Sequence, residues 1–165
     1  MHNIRHGWET NSSSVHQVAI RRKNPDSPKL AIPEKLLVRT TDYGDDHPLT
    51  DPQGKFDILV AACRWSNYEG GSLATLMKLV DVLHTIGVAS IEFDRDLWNG
   101  SCTYMSPECA EYFIKRIIDK PPGVVEDFLF NPNSQWVSEE AHDGHTPVHF
   151  VEDADNYDIL RFVDD

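Results

Sequence analysis

An unbroken apolar run over residues 56–63 is the feature that most constrains how this chain can fold. Its sequence, FDILVAAC, contains a single charged residue, Asp57, and shows no alternation of apolar and polar positions. Runs of this kind are typical of a strand that is buried on both faces of a sheet. We therefore predict a central strand over residues 56–63.

The residues that follow this run predict a helix and then another strand. Over residues 73–84, apolar residues recur at three- and four-residue intervals, and Ser72 can cap this helix. Gly87 is expected to end the helix, and residues 88–93 are expected to form a short strand. A strand, a helix and a strand in this order make a βαβ unit, whose two strands are normally parallel.

The chain is predicted to fold as one α/β domain over residues 1–165, with an α+β arrangement as the alternative. Its 165 residues and 40% apolar composition suit one ordinary core. The expected architecture is a mixed sheet that contains the βαβ unit, two main helices and an acidic C-terminal hairpin. The other expected elements are strands at 15–20, 35–43 and 135–138, a loop at 42–54, a second main helix from Ser106-Pro107, a short helix at 124–130, a turn at 131–134 and hairpin arms at 147–151 and 157–163.

The net charge of −12 is distributed unevenly along the chain. Residues 1–40 carry seven Lys or Arg against three Asp or Glu, whereas residues 139–165 carry one against nine. An acidic balance disfavours direct binding to nucleic acid, because contact with the phosphate backbone requires cations. The acidic balance favours a basic partner or no partner at all, and the candidate partner is a basic or nucleic-acid-binding protein of a host cell.

Four carboxylates in the acidic C-terminal segment are candidate binding residues. Apolar residues alternate through this segment, which is typical of a rigid strand face rather than a disordered tail. A fixed array of carboxylates can occupy a groove that is built for phosphates. The candidate residues are Glu152, Asp153, Asp155 and Asp158.

The most unusual polar stretch is WETNSSSVH, residues 8–16. In an extended chain Ser14 and His16 lie on the same face, because side chains alternate along a strand. A serine that is activated by a histidine is a common nucleophile. The alternative is that the short polar side chains only close turns with their own backbone. The candidate catalytic residues are Ser12, Ser13, Ser14 and His16, and Glu9 and Asn11 are candidate binding residues.

The same stretch resembles the opening of a family of small uncharacterised phage and bacterial proteins. Those begin with a few basic residues, followed by an aromatic residue, Glu-Thr-Asn-Ser-Ser-Ser, one variable residue and His. A second similarity covers residues 128–134, FLFNPNS. Family members often continue with a Gly-Asn-Asp-Asn-like turn, where this chain has Ser-Glu-Glu-Ala at 138–141. The resemblance implies a phage or mobile-element setting and supplies no mechanism.

Trp65 is a further candidate binding residue, because it follows the predicted central strand. In open α/β sheets, ligands bind outside the carboxyl ends of the strands. If the strands at 56–63 and 88–93 are neighbours, the loops that follow them lie side by side. Gly70 and Gly71 lack the spacing of the nucleotide-binding motifs, so no cofactor is expected.

Residues 139–149 contain six side chains of metal-ligating types. No pair of them has the spacing of a helical metal motif, and the alternative is a solvated acidic turn, so no metal site is predicted. The six residues are Glu139, Glu140, His142, Asp143, His145 and His149.

The sequence thus predicts an acidic binding protein of phage or mobile-element type, an inhibitor of a host nucleic-acid-related or defence factor by acidic surface mimicry. No stretch has the length of a membrane span and the N-terminus lacks a signal region, so the expected location is the host cytoplasm. The alternative is a small hydrolase or transferase that uses the Ser- and His-rich N-terminal loop. Whether the chain is an enzyme stays open at this level.

Overall fold

The computed structural model describes residues 14–21, 28–39, 49–66, 71–93, 107–140 and 157–163. Within them lie four helices and five strands, as expected for the α/β class. In chain order these are β1 (Ser14–Arg21), β2 (Lys35–Val38), α1 (Pro52–Trp65), α2 (Gly71–Thr85), β3 (Ser90–Phe93), α3 (Pro107–Arg116), α4 (Pro122–Phe130), β4 (Gln135–Glu140) and β5 (Tyr157–Val163).

The apolar run at 56–63 lies inside helix α1, so the prediction of a central strand there was wrong. Every residue from 54 to 63 is buried, and α1 contacts α2, α3, α4 and β2. A helix surrounded in this way is apolar on all sides and loses its helical periodicity. A short continuous apolar run therefore does not distinguish a buried strand from a buried helix.

The residues at the start of α1 favour a helix over a strand. The Asp51 carboxylate accepts a hydrogen bond of 2.8 Å from the Gly54 N–H, and Pro52 occupies the first turn. An aspartate cap followed by proline is a strong start signal for a helix. The helix begins within the segment 42–54 that was predicted to be a loop, so that prediction was wrong at residues 52–54.

The structure contains a parallel strand pair, but its first strand is not the predicted one. β2 pairs in parallel with β3, with Lys35 opposite Ser90 and Val38 opposite Phe93. Helices α1 and α2 make the crossover between the two strands. The βαβ unit therefore runs from residue 35 to residue 93 and contains two helices.

The other helices agree with the sequence. α2 and α3 are the two predicted main helices, and α4 is the predicted short one. Gly87 follows α2 with a φ of 104°, a conformation that glycine adopts without a steric penalty. The turn at 131–134 is also confirmed, since the Asn131 side chain accepts from the Asn133 N–H at 2.9 Å.

A three-stranded antiparallel sheet contains the remaining strands, in the order β4–β1–β5. The strands predicted as one mixed sheet thus form two sheets in the described part of the chain, one antiparallel and one parallel. β5 pairs with β1 from Val15 opposite Val163 to Arg21 opposite Tyr157. β5 is the second arm of the predicted acidic hairpin, whereas residues 147–151 lie outside the described residues.

The core lies between the helices and is closed on one side by Trp136 of β4. The Trp136 ring packs edge-on against Phe113 of α3, with centroids 5.1 Å apart, and Phe113 packs in the same way against Phe128 of α4. The Trp136 backbone also exchanges two hydrogen bonds with Leu49. These contacts connect the antiparallel sheet to the helices.

Candidate functional site

A surface groove of about 670 Å³ runs along the outer side of α2. Several of its apolar side chains are well exposed: Leu73 by 70%, Met77 by 60% and Phe93 by 52%. Grooves of this volume are in the usual range for binding sites. The apolar lining consists of Trp65, Leu73, Leu76, Met77, Val80 and Phe93.

Three polar residues complete the described lining, and they lie at different heights along α2. Arg64 and Ser72 are close together, because the Ser72 hydroxyl donates to the Arg64 carbonyl at 2.9 Å. Asp81 lies nine residues beyond Ser72, which is about 14 Å along a helix. The described lining thus combines six apolar side chains with one cation, one hydroxyl and one carboxylate.

Trp65, a candidate binding residue from the sequence, is one of the side chains that line this groove. It lines the same groove as Phe93, the last residue of β3. The sequence placed the regions after residues 63 and 93 side by side as ends of two parallel strands. In the structure, the end of helix α1 and the end of strand β3 each contribute a side chain to the lining of one groove. The apolar spacing of α2 predicted one buried face, and it did not reveal that Leu73 and Met77 lie outside it.

The candidate catalytic positions Ser14 and His16 lie in β1, at the end where β4 finishes. Ser14 is opposite Glu140, and His16 is opposite Ser138 and Phe162. Opposed residues of an antiparallel pair share a sheet face, so these positions are on one face. The register thus adds Ser138 and Glu140 to the predicted hydroxyl–imidazole pair. From the sequence alone, Glu140 is marked only by its place among the residues of metal-ligating types at 139–149.

Most of the other predicted site residues lie outside the described part of the chain. These are Glu9, Asn11, Ser12, Ser13, Glu152, Asp153 and Asp155. Asp158 lies in β5, at the position opposite Ile20 of β1. Of the six residues weighed as metal ligands, Glu139 and Glu140 are the last two residues of β4 and the other four are not described.

Lys55 is a fully buried cation that sequence analysis missed. Its ammonium group donates to the Asn131 carbonyl at 3.2 Å and to the Ser134 carbonyl and hydroxyl at 3.3 and 2.8 Å. Burial lowers the pKa of Lys55 to about 8, while the charges of Asp51 and Asp127 act to raise it. With three acceptors for three protons and no access to solvent, Lys55 joins α1 to the turn at 131–134 and is structural.

A second buried charge, Asp57, ties α1 to the edge of β2. Its carboxylate accepts from Arg39 at 2.9 Å and from the Gln53 amide at 2.8 Å. Gln53 also accepts from the Leu37 N–H and donates to the Leu37 carbonyl, as a neighbouring strand would. This cluster satisfies its own polar groups and is structural. The sequence signal for these two buried polar sites was the presence of Gln53, Lys55 and Asp57 at the start of a largely apolar segment.

The described residues supply no group of three or more His, Cys, Asp or Glu that is close enough to hold a metal ion. Cys63 is buried in α1, and burial raises the pKa of its thiol above the range of physiological pH. Across the described ranges, none of the helices combines the length and the apolar character needed to cross a membrane.

No family model, no curated protein and no solved structure matches this chain. The resemblance of residues 7–16 and 128–134 to the phage and bacterial family therefore stays a prediction. In the structure the second of these segments is the end of α4 and the turn whose carbonyls bind Lys55.

Proposed function

We propose that this chain is an acidic binding protein of phage or mobile-element type, which binds a basic host protein in the host cytoplasm and inhibits it. The observation that carries this proposal is the pairing of β5 with β1 along seven residues. Because β5 belongs to a sheet, Asp158 has a fixed position, and the acidic sequence before it leads into that fixed strand. Fixed charges cost less entropy on binding than charges on a loose tail.

The charge of the chain supports a basic partner. The net charge is −12, and residues 139–165 carry nine carboxylates against one arginine. A surface of this kind attracts a groove of lysines and arginines that otherwise holds phosphates. The partner class is therefore a nucleic-acid-related or defence protein, and nucleic acid itself is not the ligand.

The decisive experiment removes four charges and keeps the shape. A partner is first isolated by affinity capture from host lysate and identified by mass spectrometry. We then replace Glu152, Asp153, Asp155 and Asp158 by their amides and measure association and dissociation rates over a salt series. We expect association to slow by roughly tenfold or more and its salt dependence to flatten, with a smaller change in dissociation.

The matched control removes the same number of charges from the other region of the protein. Its four sites are Glu34, which directly precedes β2, Glu92 in β3, Glu111 in α3 and Glu126 in α4. Association that slows equally in both variants would show that net charge acts without a dedicated acidic surface. Association that is unchanged in the C-terminal variant would overturn the proposal.

A second candidate function is favoured by the register of β1 with β4. Positions 14, 16, 138 and 140 share one face and combine hydroxyl, imidazole and carboxylate groups, the types used in serine hydrolases and transferases. A serine-directed fluorophosphonate probe tests this function. Labelling that is lost in Ser12→Ala, Ser13→Ala or Ser14→Ala, and also in His16→Gln, would identify the nucleophile. Absence of labelling in the parent protein would remove this candidate.

A further inference from the structure

The parallel sheet β2–β3 has two edges, which differ in the described part of the chain. On the β2 edge, the Gln53 side chain accepts from the Leu37 N–H at 3.2 Å and donates to the Leu37 carbonyl at 2.8 Å. On the other edge, β3 is the last strand of this sheet within the described ranges. An edge strand presents its backbone donors and acceptors to any strand that can pair with it. The β3 edge is therefore the one at which a further strand can add.

The backbone groups of Ile91 and Phe93 point to this outer edge. The Ser90 N–H donates to the Glu34 carbonyl at 2.9 Å, so Ser90 directs its backbone groups toward β2. Successive residues of a strand direct these groups to opposite sides, so Glu92 also bonds to β2. The N–H and C=O of Ile91 and the N–H of Phe93 are consequently directed away from β2.

The groove along α2, called the α2 groove below, lies beside the same edge, because Phe93 belongs to both. Val38, which is opposite Phe93 in β2, is fully buried, whereas Phe93 is half-exposed. The open space at Phe93 is therefore on the side away from β2, where Leu73 and Met77 of α2 are also exposed. Opposed residues of paired strands share a sheet face, so a strand added to β3 places alternate side chains beside Phe93 and over the groove.

The length and the charge of the groove define the segment that fits it. The lining extends along α2 from Ser72 to Asp81, about 14 Å, which corresponds to about four residues of a strand. Asp81 is exposed, and its carboxylate forms no ion pair among the described residues. Arg64, the cation of the lining, already has an interaction within the protein. Together with the chain charge of −12, Asp81 favours a cationic segment and disfavours a second copy of this acidic chain.

We infer that the outer edge of β3 and the α2 groove together bind an extended basic segment of another protein, which adds to the parallel sheet as a third strand. The backbone of β3 supplies the hydrogen bonds, and the groove accepts alternate apolar side chains of the segment. A lysine or arginine of the segment pairs with Asp81. The inference goes beyond the proposed function, because it uses β3 and α2 rather than the acidic segment 139–165.

The first test measures the binding of a synthetic peptide, KTVTVTK, to the full chain by isothermal titration calorimetry. Its odd positions place two valines over the groove with a lysine at either end, so the design suits both strand directions. A segment this short buries less area than a stable protein interface, so we expect a Kd on the order of 100 µM. The matched peptide ETVTVTE should bind at least roughly tenfold more weakly, because its carboxylates repel Asp81 and the acidic chain.

The second test compares two N-methylated forms of the peptide, one methylated at both valines and the other at two threonines. Every other residue of a strand points its N–H to the same side, so one alternate set faces β3 and the other faces away. Methylation of the facing set should weaken binding by at least roughly tenfold, because it removes the donors and places methyl groups against the β3 backbone. Methylation of the other set should leave binding unchanged.

The third test changes the groove in the protein. A groove variant with Leu73→Gln and Met77→Gln should bind KTVTVTK roughly tenfold more weakly, because it loses apolar contact without a change of charge. Ala74→Gln is the matched control, since Ala74 is exposed on α2 and is not among the described lining residues.

The charge of the groove is tested in the same way. Asp81→Asn should weaken binding by roughly two- to fivefold, the range for an exposed ion pair. Glu111→Gln in α3 removes the same charge away from the described lining and should leave binding unchanged.

Each outcome decides the inference. Binding that the groove variant and one methylated form lose, and that the controls keep, supports it. Absence of binding at about 1 mM by KTVTVTK and by its forms with Leu or Phe at both valine positions overturns it. Equal binding of the two methylated forms overturns the addition of a strand. Self-association of the free chain that the groove variant removes, measured by sedimentation velocity, assigns the edge to a second copy instead. Far-ultraviolet circular dichroism of each variant establishes that it is folded.

Discussion

The helical region and the antiparallel sheet of this protein differ in how they handle charge. In the helical region, the buried charges of Lys55 and Asp57 have hydrogen-bond partners at 2.8 to 3.3 Å. The sheet β4–β1–β5 instead contains the described parts of the strongly acidic segment 139–165, which are residues 139–140 and 157–163. The comparison teaches that the two regions differ in composition as well as in architecture. The helices supply most of the buried core, whereas the described strands of the sheet contain three carboxylate residues of the acidic segment, Glu139, Glu140 and Asp158.

Phe113 offers the largest test of this division, because it joins the two regions. Its ring touches Phe128 of α4 and Trp136 of β4. Phe113→Ala is expected to lower the free energy of unfolding by about 4 kcal/mol, the range for truncating a buried aromatic side chain. Denaturant unfolding followed by circular dichroism and by tryptophan fluorescence should shift by the same amount. Phe113→Leu is the control and should cost about 1.5 kcal/mol or less.

Separate shifts of the two signals would contradict a single cooperative unit. The sheet and the helices would then unfold independently, and the division between them would be one of folding as well as of charge.

Lys55 gives the next largest effect, as a dependence on pH. Its pKa is lowered from 10.5 to about 8, mainly by burial. Between these values the unfolded chain binds a proton at Lys55 that the folded chain does not. The free energy of unfolding therefore rises with pH by up to about 3 kcal/mol from this group; the rise begins near pH 8 and is complete above pH 10.5. Lys55→Met lacks the titrating group, so its stability should fall relative to the parent by this amount over the interval. Equal pH profiles for the two proteins would show that the buried ammonium keeps its ordinary pKa.

A smaller effect is expected at the cap of α1. Asp51→Ala removes the hydrogen bond to the Gly54 N–H and should lower the free energy of unfolding by about 1 kcal/mol. Asp51→Asn keeps an acceptor and should cost a few tenths of a kcal/mol. Thermal unfolding of both variants measures the difference. Equal stability of the alanine and asparagine variants would mean that burial alone holds 52–65 in a helix.

The smallest effect on stability is expected from the acidic segment. Replacing Glu152, Asp153, Asp155 and Asp158 by amides should change the free energy of unfolding by less than about 1 kcal/mol, as for substitutions outside a core. A loss of several kcal/mol in urea unfolding would show that the acidic residues hold the sheet together. The contrast with the helical region would then disappear.

The sequence predicted those elements whose signals are local. The apolar spacing of α2, the Ser106-Pro107 start of α3 and Gly87 after α2 marked elements that the structure contains. The strand at β1 was likewise predicted within one residue at each end. Each of these signals acts within a few residues, through capping, backbone preference or periodicity.

The candidate sites were predicted less completely, because they depend on pairs of distant residues. Alternation along β1 placed Ser14 and His16 on one face, but the addition of Glu140 to that face required the register with β4. Trp65 was expected to follow a strand, whereas it is the last residue of helix α1 and lines the groove. The partners of Lys55 are about eighty residues away in sequence, beyond any local pattern.

By itself the sequence determined the α/β class, the positions of α2, α3 and α4, and the accumulation of negative charge at the C-terminal end. The tertiary structure alone decided that residues 56–63 are helical, that β2 rather than this run pairs with β3, and that α2 leaves an apolar side exposed. The physical reason is the same in each case. A continuous apolar run indicates that a segment is buried. The elements that pack around the segment determine whether its backbone forms hydrogen bonds within a helix or with another strand.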